Sequence, residues 1–581
     1  MTSTLMSLAH RGPDNCGYAV LDGGRVTMGH TRLSIVDPSD SSNQPFFNER
    51  KTICLIFNGE IYNYKALRAE LEAVGRVFRT KSDTEVIVQA WEEWQVEFVR
   101  RLEGIFALAL WDERTRTLFV ARDHLGIKPL YYAQDKGYIS FASQPRAFFA
   151  SGIFEPELNP FAASDFLSFG YIPAPRSAFK NITKFPPANY LVYTDRRFNW
   201  ARYWDFPVED PRISYQDALH IVEKGFASTI RSEIPNLDEF GVFLSGGLDS
   251  SLIVAALSNL GRTPRTYSLG FADKQSDERA NAREVAREYS TPHHETLFDP
   301  EHILGALAKY QFAYDEPLDL NGALPMLLVS ELASRDGIKV VIGGDGADEL
   351  FYGYKRYEEL FSHPSSRELR SASNLLRDFY LYEGTAVGLT LHRLLNQSVG
   401  AMGEAHTPLN SLAPLFDLND LPAHAARNCD LRHYLVDNIL CKVDRASMAF
   451  GLEARVPFLN RSFIDQVGRI PSRHLFKDGE RKFLLRDAAP RILNPRLISR
   501  RKKGFSCPLF SWTTPSFMRW SNGVINNGYL VATGLLNSDW QESEFIKTDH
   551  LGWGAIRLRW LLLGLELWAQ RWIMNEKVNS L

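Results

Sequence analysis

The spacing of apolar positions changes character near residue 205. Before it, Thr52–Phe57, Ile105–Trp111 and Thr117–Ala121 have the pattern of strands, the last two joined by the polar turn Asp112–Arg116. Tyr64–Val74 and Thr84–Trp94 have the pattern of helices. Strands that follow one another without regular strand–helix–strand alternation predict an α+β layered domain. After residue 205, strand-like Gly241–Leu244, Thr266–Phe271 and Val340–Ile342 alternate with helical Ser250–Leu260, Asp277–Tyr289 and Leu324–Asp336, the pattern of a parallel sheet covered by helices. Proline-rich Gly170–Pro175 and Phe185–Leu191 precede the charged segment 205–212, read as the linker between a domain at 1–204 and one at 213–581.

The strand–loop–helix at Phe240–Ala256 organises the second half. Between apolar Val242–Leu244 and the helix lies Ser245-Gly246-Gly247-Leu248-Asp249-Ser250. Two glycines allow close backbone approach, and N–H groups at a helix start with flanking hydroxyls favour an anion, which together describe a phosphate cradle. The loop lacks the lysine and spacing of the common γ-phosphate loop, and its aspartate suits pyrophosphate held with Mg²⁺. Gly343-Gly344-Asp345-Gly346-Ala347-Asp348-Glu349 follows another strand. Three carboxylates in five residues repel one another unless a cation neutralises them, so Mg²⁺ joining Asp249 to Asp348 is expected.

Composition narrows the classes. The 581 residues carry a net charge of −3 and are 45% hydrophobic. That balance gives no reason to expect nucleic acid or a membrane surface as partner and favours small-molecule chemistry. The five cysteines are scattered without metal-ligand spacing, which fits a reducing cytoplasm. No run approaches a membrane span, and Trp560–Leu567 reads as a core helix. No secretory signal is expected at the N-terminus.

Polar motifs punctuate the first half: His10-Arg11-Gly12-Pro13-Asp14, Thr31-Arg32-Leu33-Ser34, Phe57-Asn58-Gly59-Glu60, Ser82-Asp83-Thr84-Glu85 and Arg122-Asp123-His124-Leu125-Gly126. Singly each reads as a turn; Asn58-Gly59 is a hairpin signal and Asp83 a helix cap. In this order they resemble the glutamine-hydrolysing domain of glutamine-dependent asparagine synthetases, of the N-terminal-nucleophile amidohydrolase fold. The resemblance implies that Arg32 holds the glutamine carboxylate, Asn58 and Gly59 supply oxyanion donors, and Glu60 and Asp83 grip the amine. The family's nucleophile is a cysteine at position 2; here position 2 is Thr2, so loss of glutamine hydrolysis is expected. Cys16, beside the first motif, is expected to be a plain thiol.

The second half carries the matching motifs of the synthetase domain: Ser-Gly-Gly-Leu-Asp-Ser-Ser, Tyr267–Phe271, Asp315-Glu316-Pro317, Gly-Asp-Gly-Ala-Asp-Glu, Lys442–Ala449, Glu453–Leu459, Arg481-Lys482 and Arg501–Phe505. The resemblance implies an α/β ATP-pyrophosphatase domain that adenylates a carboxylic acid, most simply aspartate, and transfers the acyl group to ammonia. ATP and Mg²⁺ are the implied cofactors. By the same resemblance Leu244, Ser245, Gly246, Gly247, Asp249, Ser250, Leu269, Gly344 and Lys482 bind ATP or pyrophosphate, and Asp249 and Asp348 bind the metal. Asp345 stands beside the reacting centre and Lys502 neutralises phosphate charge in the transition state. Gly343 replaces a common serine, which removes a hydroxyl without disturbing the loop. Competing readings are a relative that amidates or cyclises natural products, sugars or peptides, a tRNA-modifying ATP pyrophosphatase, and a nucleotide-binding regulator without turnover. Assembly as a homodimer, the acid substrate and the role of 360–431 are left open.

Overall fold

The computed structural model describes residues 1–362, 422–498, 507–542 and 552–575, apart from Lys136 and Asn236. Lys502, Met402 and most of the 360–431 stretch therefore lie outside the described residues.

In the first half a hairpin, β1 (Asn15–Leu21) and β2 (Val26–Arg32), precedes β3 (Phe46–Phe47), β4 (Ile53–Ile61), β5 (Gly104–Asp112) and β6 (Thr117–Arg122). Then come β7 (Tyr131–Asp135), β8 (Tyr138–Ala142), β9 (Ile182–Lys184), β10 (Asn189–Thr194) and β11 (Arg197–Arg202). An antiparallel six-stranded sheet in the order β11-β10-β6-β5-β4-β3 is flanked by the β1-β2 hairpin and a three-stranded sheet, β8-β7-β9. Helices Tyr64–Ala73 and Asp83–Trp94 pack their Leu67, Leu71, Val86 and Trp91 in the same core as Ile53, Leu55 and Phe57 of β4. The other sheet face packs Cys54, Ala107, Ala109 and Val120 with Met28, Leu130 and Phe185. All nine residues of β5 are consequently buried, and the first eight, Gly104–Trp111, are continuously apolar rather than alternating.

Asn58-Gly59 is not a turn. Both residues sit inside β4, where Asn58 pairs with Ala107 and Gly59 with Phe106. Gly59 has φ 140°, and a Cβ there would lie 1.9 Å from the Ile105 carbonyl oxygen, so the glycine serves a close strand contact.

The second half is built on β12 (Gly241–Phe243), β13 (Arg265–Phe271), β14 (His293–Phe298), β15 (Val340–Ile342) and β16 (Glu453–Arg455), all parallel, in the order β14-β13-β12-β15-β16. From β12 the chain moves outward through β13 and β14, then returns to the other side of β12 for β15. The reversal between β12 and β15 creates the crevice in which ligands of such sheets bind. Helices Leu248–Asn259 and Leu320–Arg335 run between the strands, and Trp553–Trp572 buries Trp560, Leu563 and Trp568, as a core helix should. Among the described residues no helix is long and apolar enough to cross a membrane.

The halves meet through buried charge. Arg11 pairs with Asp444 at 2.8 Å, Arg146 with Asp315 at 2.6 Å and Lys184 with Asp437 at 3.3 Å. Arg455 on β16, fully buried, bonds Glu453 at 3.2 Å and the Glu233 carbonyl at 2.8 Å and pairs with Glu60 at the end of β4.

Candidate active site

A cavity of about 560 Å³ opens at the carboxyl ends of β12, β13 and β15. Leu244, Ser245, Gly247, Asp249, Ser250, Leu269, Gly344, Asp345, Asp348 and Lys482 all line it, so nearly every group expected from the sequence converges there. Gly246 has a different part: at φ 77°, its missing Cβ would fall 2.5 Å from the Asn281 backbone carbon, so the loop can close onto helix Arg279–Glu288 only with glycine. The loop folds around its own hydroxyls. Gly247 N–H donates to Ser245 Oγ at 3.2 Å, and Ser245 N–H to Ser250 Oγ at 3.3 Å.

Asp249 and Asp348 come from the first turns of two helices, Leu248–Asn259 and Ala347–Leu350, on either side of the crevice and share one cation, the Lys482 ammonium. Its Nζ donates to Asp249 Oδ2 at 2.6 Å and lies 2.7 Å from Asp348 Oδ1. Lys482 is only 4% exposed, and the two carboxylates hold its pKa above the ordinary lysine value against the opposing pull of burial. Two carboxylate oxygens converging on one positive centre are a donor set suited to Mg²⁺, which takes a few protein carboxylates and fills its other positions with phosphate and water. Among the described residues no group of three or more His, Cys, Asp or Glu side chains is placed to hold a metal ion.

Burial raises the Asp345 carboxyl above its usual range; Lys442 opposes the shift, and Asp348 and Asp249 add to it. Gly343 proves to be tied to this acid, because a Cβ at residue 343 would sit 2.7 Å from Asp345 Oδ2. A serine there would displace the carboxylate, so the glycine does more than remove a hydroxyl. Sequence reading reached Lys442 only as part of a motif and Glu349 only as one of three clustered carboxylates, and it did not point to Arg279 or Tyr354; all four line the cavity. Their signal is tertiary: Glu349, for example, accepts a 2.5 Å bond from the Tyr354 hydroxyl.

A second cavity, of about 210 Å³, lies in the first half and is lined by Arg32, Asn58, Gly59, Glu60 and Asp83. Here most polar groups are already engaged. The terminal nitrogens of Arg32 bond Asn43 Oδ1 at 2.7 Å and the carbonyls of Ser39 at 3.1 Å, Val36 at 3.3 Å and Asp37 at 2.5 Å. Glu60 is drawn to Arg455. Asp83 accepts from the N–H groups of Ile61 at 3.1 Å and Thr84 at 2.9 Å, and burial pushes it up to about 6. The cap of its helix is Ser82 rather than Asp83. Asn58 Nδ2 differs: it is buried with no hydrogen-bond partner, a donor facing a cavity and lacking an acceptor. None of the five cysteines lines this cavity; Met1, Thr4, Leu5 and Leu8 form the nearby wall. Cys16 is exposed on β1, and burial pushes Cys54 up to about 12.

Residues 223–570 match the family model described as asparagine synthase, and residues 1–204 match the glutamine amidotransferase domain. The chain belongs to the asparagine synthase family. It is 30% identical over 559 residues to asparagine synthetase [glutamine-hydrolyzing] 1 of Bacillus subtilis, covering 89% of this chain and 85% of that one. Asparagine synthetase B [glutamine-hydrolyzing] of Escherichia coli is 29% identical over 87% of this chain and 78% of its own length. An amidase, chyE, of Penicillium rubens is 26% identical, with coverage of 94% and 90%. As a member of this family the chain is a ligase with two units of fold, an N-terminal amidohydrolase-type layered domain and a parallel-sheet synthetase domain.

Proposed function

We propose that this ligase forms an amide from a carboxylic acid, most simply aspartate, using ATP and ammonia and releasing AMP and pyrophosphate. The observation that carries the reading is the convergence of Asp249, Asp348 and Lys482 at the crevice between β12 and β15, beside the Ser245–Ser250 loop. In this reading 1–204 is the glutaminase-like domain, 205–212 the linker and 213–581 the synthetase domain, in a cytoplasmic enzyme.

Ser245, Gly247 and Ser250 receive the β- and γ-phosphates through N–H and hydroxyl donors, Gly246 sets the turn that brings them together, and Leu244, Leu269 and Gly344 pack against the nucleoside. Asp249 and Asp348 hold Mg²⁺, which when bound neutralises charge on the departing pyrophosphate. A substrate carboxylate oxygen bonds to the α-phosphorus as the bond to the β-phosphate oxygen breaks, leaving an acyl-adenylate. Ammonia nitrogen then bonds to the acyl carbon and AMP leaves. Asp345 accepts the proton lost by nitrogen, a role that a carboxyl raised by burial performs better than an ordinary one. Lys502 is assigned to phosphate charge in the transition state.

For the front cavity we propose that the polypeptide of this sequence takes free ammonium and does not hydrolyse glutamine, since none of its thiols lines that cavity. The test is pyrophosphate release with aspartate and ammonium against aspartate and glutamine. Turnover with ammonium alone supports the reading; glutamate release from glutamine removes its second part. Absence of turnover with aspartate, but pyrophosphate release with another acid from a panel, would select the second reading. In that reading the enzyme amidates a different acid; its motive is that one similar chain, from Penicillium rubens, carries the name amidase and not asparagine synthetase.

A further inference from the structure

Lys482 reaches the crevice from an unusual start. Its backbone is left-handed, φ 55°, at the N-cap of helix Phe483–Ala488, and its ammonium comes to rest between carboxylates on the first turns of two separate helices. Gly353 makes that position available. A Cβ at residue 353 would lie 2.0 Å from Asp348 Oδ1 and 2.3 Å from Lys482 Cε, so any larger residue would push this pair apart.

We propose that Lys482 is an internal counter-ion that holds the metal position while no metal is bound, and leaves it for the nucleotide phosphates when Mg²⁺ enters. The inference rests on reading Asp249 and Asp348 as metal ligands. An ammonium within 2.7 Å of both carboxylates and a divalent ion about 2.1 Å from the same oxygens would repel each other across a very short gap, so the two cations exclude one another. Free Mg²⁺ must therefore compete with a tethered cation and binds weakly. A nucleotide changes the balance because its phosphates give Lys482 another anionic partner, leaving Asp249 and Asp348 to the metal. Metal and nucleotide thus favour each other's binding, and by linkage the coupling is equal in both directions. The exchange keeps Asp249 and Asp348, both partly buried, beside a cation at every stage.

The test is a Mg²⁺ titration of the full chain without nucleotide, followed by thermal shift, with Mn²⁺ binding by electron paramagnetic resonance as a direct count. Wild type, Lys482→Met, Lys482→Arg and Gly353→Ala are compared. Lys482→Met should bind metal at least about tenfold more tightly than wild type. Lys482→Arg should stay near wild type, and Gly353→Ala should move in the direction of Lys482→Met. Adding Asp348→Asn to Lys482→Met should abolish the gain. Equal or weaker metal binding by Lys482→Met, or a gain that survives Asp348→Asn, overturns the exchange while leaving the site reading intact. Nucleotide binding that does not respond to Mg²⁺ in any of these proteins removes the site reading as well.

Discussion

The two cavities of this molecule hold similar kinds of side chain in opposite conditions. In the rear cavity, charged groups neutralise one another across a crevice, Lys482 between Asp249 and Asp348, in contacts that a ligand can replace. In the front cavity, Arg32 is saturated by its own loop, Asp83 by backbone N–H groups, and Glu60 by an arginine from the other domain. Cations and carboxylates thus form a receptive site in one place and, Asn58 Nδ2 excepted, a largely self-satisfied wall in the other. What separates the cases is whether the partners are fixed backbone and buried pairs or one long, displaceable side chain.

The comparison breaks most sharply under substitution of the acids. Asp249→Asn should lower pyrophosphate release by about 10²–10³-fold, whereas Asp83→Asn should leave the ammonium-dependent rate unchanged. A large loss from Asp83→Asn would mean that the front cavity takes part in the synthetase reaction. Next in size is Arg455→Met. Removing the guanidinium strands Glu60 in the interior and leaves Glu453 only Lys128, and unfolding by denaturant should register a loss of about 3–5 kcal/mol. Gly59→Ala should cost about 1–3 kcal/mol, through the forced backbone and the clash with Ile105, and should lower the melting temperature without altering nucleotide binding.

The smallest effect is a pH dependence. Glu233 is buried, accepts one bond from Asn460 Nδ2 at 3.0 Å, and burial pushes it from 4.5 up to about 7. The folded chain keeps this proton after the unfolded chain has released it, so stability falls as pH rises from about 4.5 through about 7. Glu233→Gln removes that dependence. Its melting temperature should gain on wild type between about pH 5 and pH 8, and a gap that stays constant across this range would show Glu233 to be ionised throughout.

Much of the rear site was legible because its residues lie in contiguous loops next to apolar strands. Val340–Ile342 has the same bounds in sequence and structure, and Ser245–Ser250 follows β12 as its pattern indicated. What could not be read was pairing over distance: Lys482 meets Asp249 across 233 positions of chain. β16 was also invisible as a strand, since Glu453-Ala454-Arg455 puts two charges in three residues. Strand periodicity places both on one face, and that face meets Lys128 and Glu60 rather than water. Asn58-Gly59 misled for a related reason, its glycine answering to a neighbouring strand instead of a turn. Helix Tyr215–Glu233 repeats Ala218, Leu219, Val222, Phe226 and Ile230 at helical spacing behind a Ser214 cap, and β1 alternates strictly in burial, so both carried a signal that was open to reading and not used.

The three residues of β16 also set where this polypeptide can be divided. Its Glu453 and Arg455 side chains face the first domain, while the Arg455 carbonyl accepts the N–H of Gly343, two residues from Asp345. A cut in the 205–212 segment looks harmless on the chain, yet it would leave Glu60 and Lys128 in one fragment without the Arg455 and Glu453 they pair with in the other. A free-standing synthetase made from this protein would need the seam along β16 redesigned before the covalent one is opened.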